Sequence, residues 1–151
     1  MVVSTFEFLG HVSSLLAEGQ QVTLRPKGRS MLPFMVGTRD LVTLAPLQTF
    51  PVVGQVVLAL IDNKHYVLHR IRHISEKGIV LQGDGNLYAT ETCTSEQLRG
   101  VMITMVRNGR PIDCSAPCEQ QRVVRWLHTP LQVRRVILWA FRQWMRYKNY
   151  H

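Results

Sequence analysis

The sequence predicts a mainly β protein: a small coiled antiparallel sheet or barrel, with a short helix before it and helices after it. Three observations predict this. Six segments between residues 20 and 109 are rich in Val, Ile, Leu and Thr, the residues that fit a pleated surface. Gly, Pro, Asp or Asn punctuates these segments every 8 to 15 residues, the rhythm of strands and tight turns. Beyond residue 122 the pattern changes to helical spacing.

The elements run in order along the chain. Phe6, Leu9, Val12, Leu15 and Leu16 recur at helical spacing, and Gly19 stands where a C-cap belongs, so residues 1–19 read as a short amphipathic helix packed on the body. A β-rich domain is expected over 20–110, with strands at 20–26, 40–46, 54–62, 65–74, 78–84 and 98–109. The stretch PIDCSAPCEQQ, 111–121, carries two prolines and polar residues and reads as a linker. A basic amphipathic helical tail is expected over 122–151, with Thr129-Pro130 opening a helix. At 151 residues the chain supports one domain with a real core and is short for two.

Composition narrows the function classes. Apolar residues at 46% and charged residues at 19% exclude a disordered chain or a fibre. Lys plus Arg total 18 against 10 Asp plus Glu, and the excess sits at one end. From residue 122 onward come Arg122, Arg125, Arg134, Arg135, Arg142, Arg146 and Lys148, with no acid. On a helical wheel Arg135, Arg142 and Arg146 fall with Gln132 and Gln143, opposite Val133, Val136, Ile137, Ala140, Phe141, Trp144 and Tyr147. With Trp139 and Trp144, such a helix fits peripheral contact with an anionic membrane; docking on the body or on a partner chain is the other reading. The arginines interrupt every apolar run, so a membrane span is excluded, and no secretory signal opens the chain. The expected location is the cytoplasm, or the inner membrane as a peripheral protein. Cys93, Cys114 and Cys118 are too few for a disulfide framework, and Cys114 and Cys118 lack the second pair a zinc site needs, so they read as buried or partly buried thiols in a loop.

Three places carry chemistry. In GRSMLPFMVGTRD, 28–40, Ser30 ends a strand in a glycine-containing turn, a place from which its hydroxyl can project and its amide can face a reacting carbonyl. Gly28 lets a substrate backbone approach, and Pro33 stiffens the remainder of the turn. Ser30 capping a one-turn helix is the plain alternative. In HYVLHRIRHI, strand alternation puts His65, Val67, His69, Ile71 and His73 on one face and Tyr66, Leu68, Arg70, Arg72 and Ile74 on the other. Along a strand such histidines stand about 13 Å apart, too far to share a metal ion, so no metal is expected. Val67 and Ile71 give His69 an apolar setting where a neutral imidazole accepts a proton; a satisfied core histidine would look alike. In LQGDGNLYATE, Asp84 between two glycines reads plainly as a turn, and functionally as a carboxylate able to orient a histidine; Glu91 can do the same if the loop folds back.

In order, Gly-x-Ser-Met-x-Pro, a Gly-x-x-Asp strand start, Gly-Gln-Val-Val, His-Arg-Ile, Gly-Asp-Gly-Asn and an Arg-Gly-Val strand resemble the superfamily of signal peptidase I and the self-cleaving repressors. The resemblance covers about residues 22–106, and SMLPF, HRI and GDGN are its most specific pieces. It implies a serine endopeptidase with Ser30 as nucleophile. His69, before Arg70, takes the base role, as in the archaeal and endoplasmic-reticulum type, whereas most bacterial members use lysine. The orienting acid falls to Glu91, to Asp84 or to neither. Gly28 stands where many bacterial members carry a second hydroxyl, so substrate and oxyanion contacts are expected from Gly28, Arg29, Ser30 and Met31, through backbone amides. The resemblance further implies a peptide or protein substrate, extended along a strand edge, with small residues ahead of the cut and no cofactor. Activity is expected to fall below about pH 6 to 7, where a histidine base takes up a proton. Two alternatives stand beside this reading: a non-catalytic module that keeps only the fold, and a nucleic-acid-binding protein acting through its basic tail.

Overall fold

The computed structural model describes residues 5–148; the outermost residues of the expected 1–19 helix and 122–151 tail lie outside that range. The mainly β expectation holds: an antiparallel sheet curls into a half-barrel, with one helix before it and two after it. Helix α1 spans Thr5–Ala17, and the strands are β1 Val22–Leu24, β2 Leu41–Ala45, β3 Val56–Ile61, β4 His65–Ser75, β5 Gly78–Gln82, β6 Glu91–Cys93, β7 Leu98–Arg107 and β8 Arg110–Asp113. Helices α2 Pro117–His128 and α3 Leu131–Tyr147 come last. Strand order is β1-β2-β7-β3-β4-β5-β6, with β8 paired to β7.

All six expected strands form. β6 and β8 have no counterpart in the sequence reading: ETC and RPID are short and carry no apolar run to mark them as strands. The expected linker 111–121 is not an open connection: it holds the end of β8 and the first turn of α2, whose Pro117 needs no amide donor at a helix start. Cys93 is buried in β6, Cys114 is half-buried, and Cys118 is exposed on α2 rather than buried in a loop. Burial, helped by the Glu119 carboxylate, pushes the Cys114 thiol up to about 11.

The two faces of the curled sheet bury separate clusters. On one, Val12 and Leu16 of α1 close over Leu24, Leu44, Leu58 and Met102. Leu16 lies so close to β7 that a Cβ on Gly100 would come within 2.7 Å of its side chain. On the other, Val57, Ala59, Ile71, Leu81 and Val101 pack together. Each of the larger aliphatic side chains here, nearly fully buried, contributes about 1.5–3 kcal/mol by leaving water. A third cluster joins Leu32 and Phe34 of the serine turn to Trp126 of α2 and to Leu138 and Met145 of α3.

One correction concerns β4. The register shifts between Ile71 and His73, where Arg72 is the extra residue of a bulge. Alternation therefore inverts: Ile74 joins the cluster containing Ile71, and His73 is exposed rather than sharing a face with His69. Val67, His69 and Ile71 keep their common face.

Candidate active site

Ser30 sits in the turn between β1 and β2 and is exposed, while Met31 and Leu32 beneath it are buried. Gly28 adopts φ +96°, a conformation open to glycine, which turns the chain outward just before the serine. Gly37 packs against it so closely that a Cβ would fall 2.2 Å from the Gly28 carbonyl oxygen. Asp40 closes the turn from below: its carboxylate accepts from the Val36 amide at 2.8 Å, from the Asn108 amide at 3.0 Å and from Arg39 at 2.7 Å. Burial alone would raise the Asp40 pKa, but these bonds prevail and hold it below the ordinary carboxylate value.

His69 comes to the serine from β4. Its Nε2 lies 3.2 Å from Ser30 Oγ, and its Nδ1 lies 2.9 Å from Glu91 Oε2. Strand register explains the second contact. Ile71, Leu81 and Glu91 are successive cross-strand partners on β4, β5 and β6, so Glu91 emerges on the face shared by Ile71 and His69. An ionised carboxylate only accepts, so Nδ1 carries the hydrogen and Nε2 offers its lone pair to the serine hydroxyl. His69 is 8% exposed, with Val67 and Ile71 on its face.

Asp84, the other candidate for the orienting acid, meets Arg70 rather than His69. Both its oxygens are occupied by Arg70, whose Nε donates at 2.8 and 3.0 Å and whose Nη2 donates at 2.6 Å. The pair is buried, and Arg70 also donates to the Gly54 carbonyl and lies 4.9 Å over the Phe34 ring. The physical reason is alternation: Arg70 points to the face opposite His69, and Asp84 is drawn to that side. His-Arg-Ile thus divides its duties, with His69 to the serine, Arg70 to Asp84 and Ile71 to the core.

The glycines around Asp84 serve the serine more directly. Gly85 N donates to Ser30 O at 2.8 Å, and a Cβ on Gly83 would fall 2.3 Å from that same oxygen. The plain turn reading is therefore incomplete: this loop is the bed on which the serine turn lies. Trp126 Nε1 donates to Asp84 O and Arg142 to Gly85 O, so α2 and α3 brace it from behind. Arg107 ties α2 in as well, donating to Phe34 O and to Glu119. Sequence reasoning noted Asp40 only as the end of the Gly-x-x-Asp motif, without its supporting bonds, and missed Arg107 and Trp126, whose burial and partners leave no local pattern.

A groove of about 440 Å³ opens at Ser30 and His69. On one side lie Leu24 and residues 25–28, continuing β1; on the other lie Tyr66, Val67 and Leu68 of β4. β1 pairs only with β2, and β4 meets β5 only from Arg70 onward, so both strand edges facing the groove are open among the described residues. Met31, Met35, Leu44 and Leu58 line an apolar floor, and Thr5, Phe8 and Leu9 of α1 form a wall. Helix α1 is fixed there by the Phe6–Tyr66 ring contact, 5.4 Å between centroids.

Of the residues expected to meet the oxyanion, Gly28, Ser30 and Met31 line the groove, while Arg29 is exposed in the same turn outside that lining. The Ser30 amide has no protein acceptor among the described residues. His65 and His73 are exposed and take no part. Among those residues no cluster of His, Cys, Asp or Glu could hold a metal ion. No helix among them is long and apolar enough to cross a membrane. Compared with protein-family models, with curated proteins and with solved structures, the chain has no significant match in any of the three.

Proposed function

We propose that the protein is a serine endopeptidase in which Ser30, His69 and Glu91 form the catalytic triad. The observation that carries the reading is the unbroken contact line from Ser30 Oγ through the imidazole to Glu91 Oε2 at the mouth of a groove. His69 Nε2 takes the hydroxyl proton as Oγ attacks the peptide carbonyl carbon. Glu91 stabilises the imidazolium that results. Backbone amides of the 28–31 turn, including that of Ser30, receive the negative charge on the carbonyl oxygen. His69 returns the proton to the leaving amine, which leaves an ester on Ser30. A water then loses a proton to His69 and attacks that ester, which releases the acid and restores the serine.

The substrate is an extended segment. Open edges of β1 and β4 offer main-chain hydrogen bonds to a strand laid between them, and the methionine and leucine floor takes small or aliphatic side chains ahead of the cut. A leader or signal peptide, met in the cytoplasm or at the surface of the inner membrane, has that character.

The test is a peptide library incubated with wild-type protein and with Ser30→Ala. Wild type is expected to cut after small or aliphatic residues, and the variant to bind the same peptides uncut. Equal hydrolysis by both would remove the serine from the mechanism, and binding with no hydrolysis by either would make the groove a binding module.

A further inference from the structure

Helix α3 docks on the body by a narrow stripe, with Leu138 and Met145 buried and Phe141 beside them. The wheel read from the sequence placed most of its apolar residues elsewhere, and they remain in solvent: Val133, Val136, Ile137 and Tyr147 are 46, 65, 39 and 82% exposed. A contiguous apolar arc on a water-soluble surface marks an interaction site. Beyond that arc come Arg135, Arg142 and Arg146, with Trp139 among them at 64% exposure. Residues 122–148 hold seven Lys and Arg and no acid. On the docking flank, Arg134 Nε is buried with no acceptor among the described residues. Burial and the charge of Arg134 lower the Arg72 pKa, which Asp84 offsets in part. The helix arrives with positive charge uncompensated and apolar surface uncovered.

We infer that α3 seats the protein on an anionic lipid bilayer, with the valine arc at the acyl boundary and the arginines among headgroup phosphates. Pairing with a second copy would bring like cations together. A nucleic acid would satisfy the arginines and leave the valines wet. The inference stands independently of the peptidase reading but bears on it. α3 shares a cleft with Gly85–Tyr88, where Tyr88 is 70% exposed, and Gly85 holds the Ser30 carbonyl. Seating α3 therefore places the loop under the serine beside the membrane.

Vesicle flotation of the full chain tests this, comparing phosphatidylcholine alone with phosphatidylcholine containing phosphatidylglycerol at near-physiological salt. The protein is expected to float with the anionic vesicles only. Val136→Asp, and Arg135→Glu with Arg146→Glu, should each lower the bound fraction about tenfold or more while circular dichroism and the melting midpoint stay unchanged. Three results would overturn the inference: no flotation with anionic vesicles, flotation that Val136→Asp leaves intact, or a dimer in light scattering that Val136→Asp dissolves. Preferential binding of duplex DNA at matched phosphate would do the same.

Discussion

Glu91 Oε2 stands 2.9 Å from His69 Nδ1 although β5 runs between their strands. Glu91→Gln keeps the shape but turns a hydrogen-bond acceptor into a group that also donates, which favours the wrong imidazole tautomer. The expected loss in kcat is about 10²–10⁴-fold with little change in melting temperature. A Gln variant with wild-type kcat would reduce the site to Ser30 and His69.

Asp84→Ala should behave differently. It leaves Arg70 buried without its carboxylate, a change that costs about 3–5 kcal/mol, visible as a lowered denaturant midpoint. Activity should fall in proportion to the unfolded fraction. If Asp84→Ala melts like wild type and still loses its rate, Asp84 acts in catalysis after all.

Gly83→Ala tests the bed of the serine. A Cβ 2.3 Å from Ser30 O forces the turn to move, with an overpacking cost of about 1–3 kcal/mol and displacement of Ser30. kcat should fall far more than stability does. Gly109→Ala, at a left-handed turn outside the groove lining with open space for the methyl group, should lower stability without a separate loss in rate.

Asp40 should make the fold sensitive to acid. Its pKa is held below that of a free carboxylate, so the ionised form stabilises the folded state at every pH above the unfolded value, about 3.9. That contribution is lost as pH falls through the folded pKa. The stability gap between wild type and Asp40→Asn should therefore be constant near neutrality and shrink below about pH 4. A gap that widens on acidification would contradict this.

Five of the six expected strands were legible because each is long enough to show its composition, from the five residues of β2 to the eleven of β4; of the expected 20–26 only Val22–Leu24 forms a strand. Ser30 and His69 stand in suggestive local settings, a glycine turn and an apolar strand face, but only the order of the motifs, through the resemblance, singled them out. That Glu91 rather than Asp84 reaches His69 was beyond the sequence. The contact depends on two things: Arg70 taking Asp84 on the opposite face, and β6, three residues long, bringing Glu91 alongside β5. The bulge at Arg72 was equally hidden, since one unpaired residue leaves no mark on composition. For α3 the wheel identified the apolar arc correctly, but not that the helix would dock by the neighbouring stripe, which is set by the partners on α2 and the serine turn.

The central claim is that Ser30 and His69 act as one chemical unit. Residual hydrolysis by Ser30→Ala, His69→Ala and the double variant measures this directly, on the peptide that wild type cuts best. Each single change should cost about 10³–10⁶-fold, and the double change should cost no more than the larger single one, because either removal already disables the unit. A His69→Ala variant that cuts at near wild-type rate, or two losses that multiply in the double variant, would contradict it.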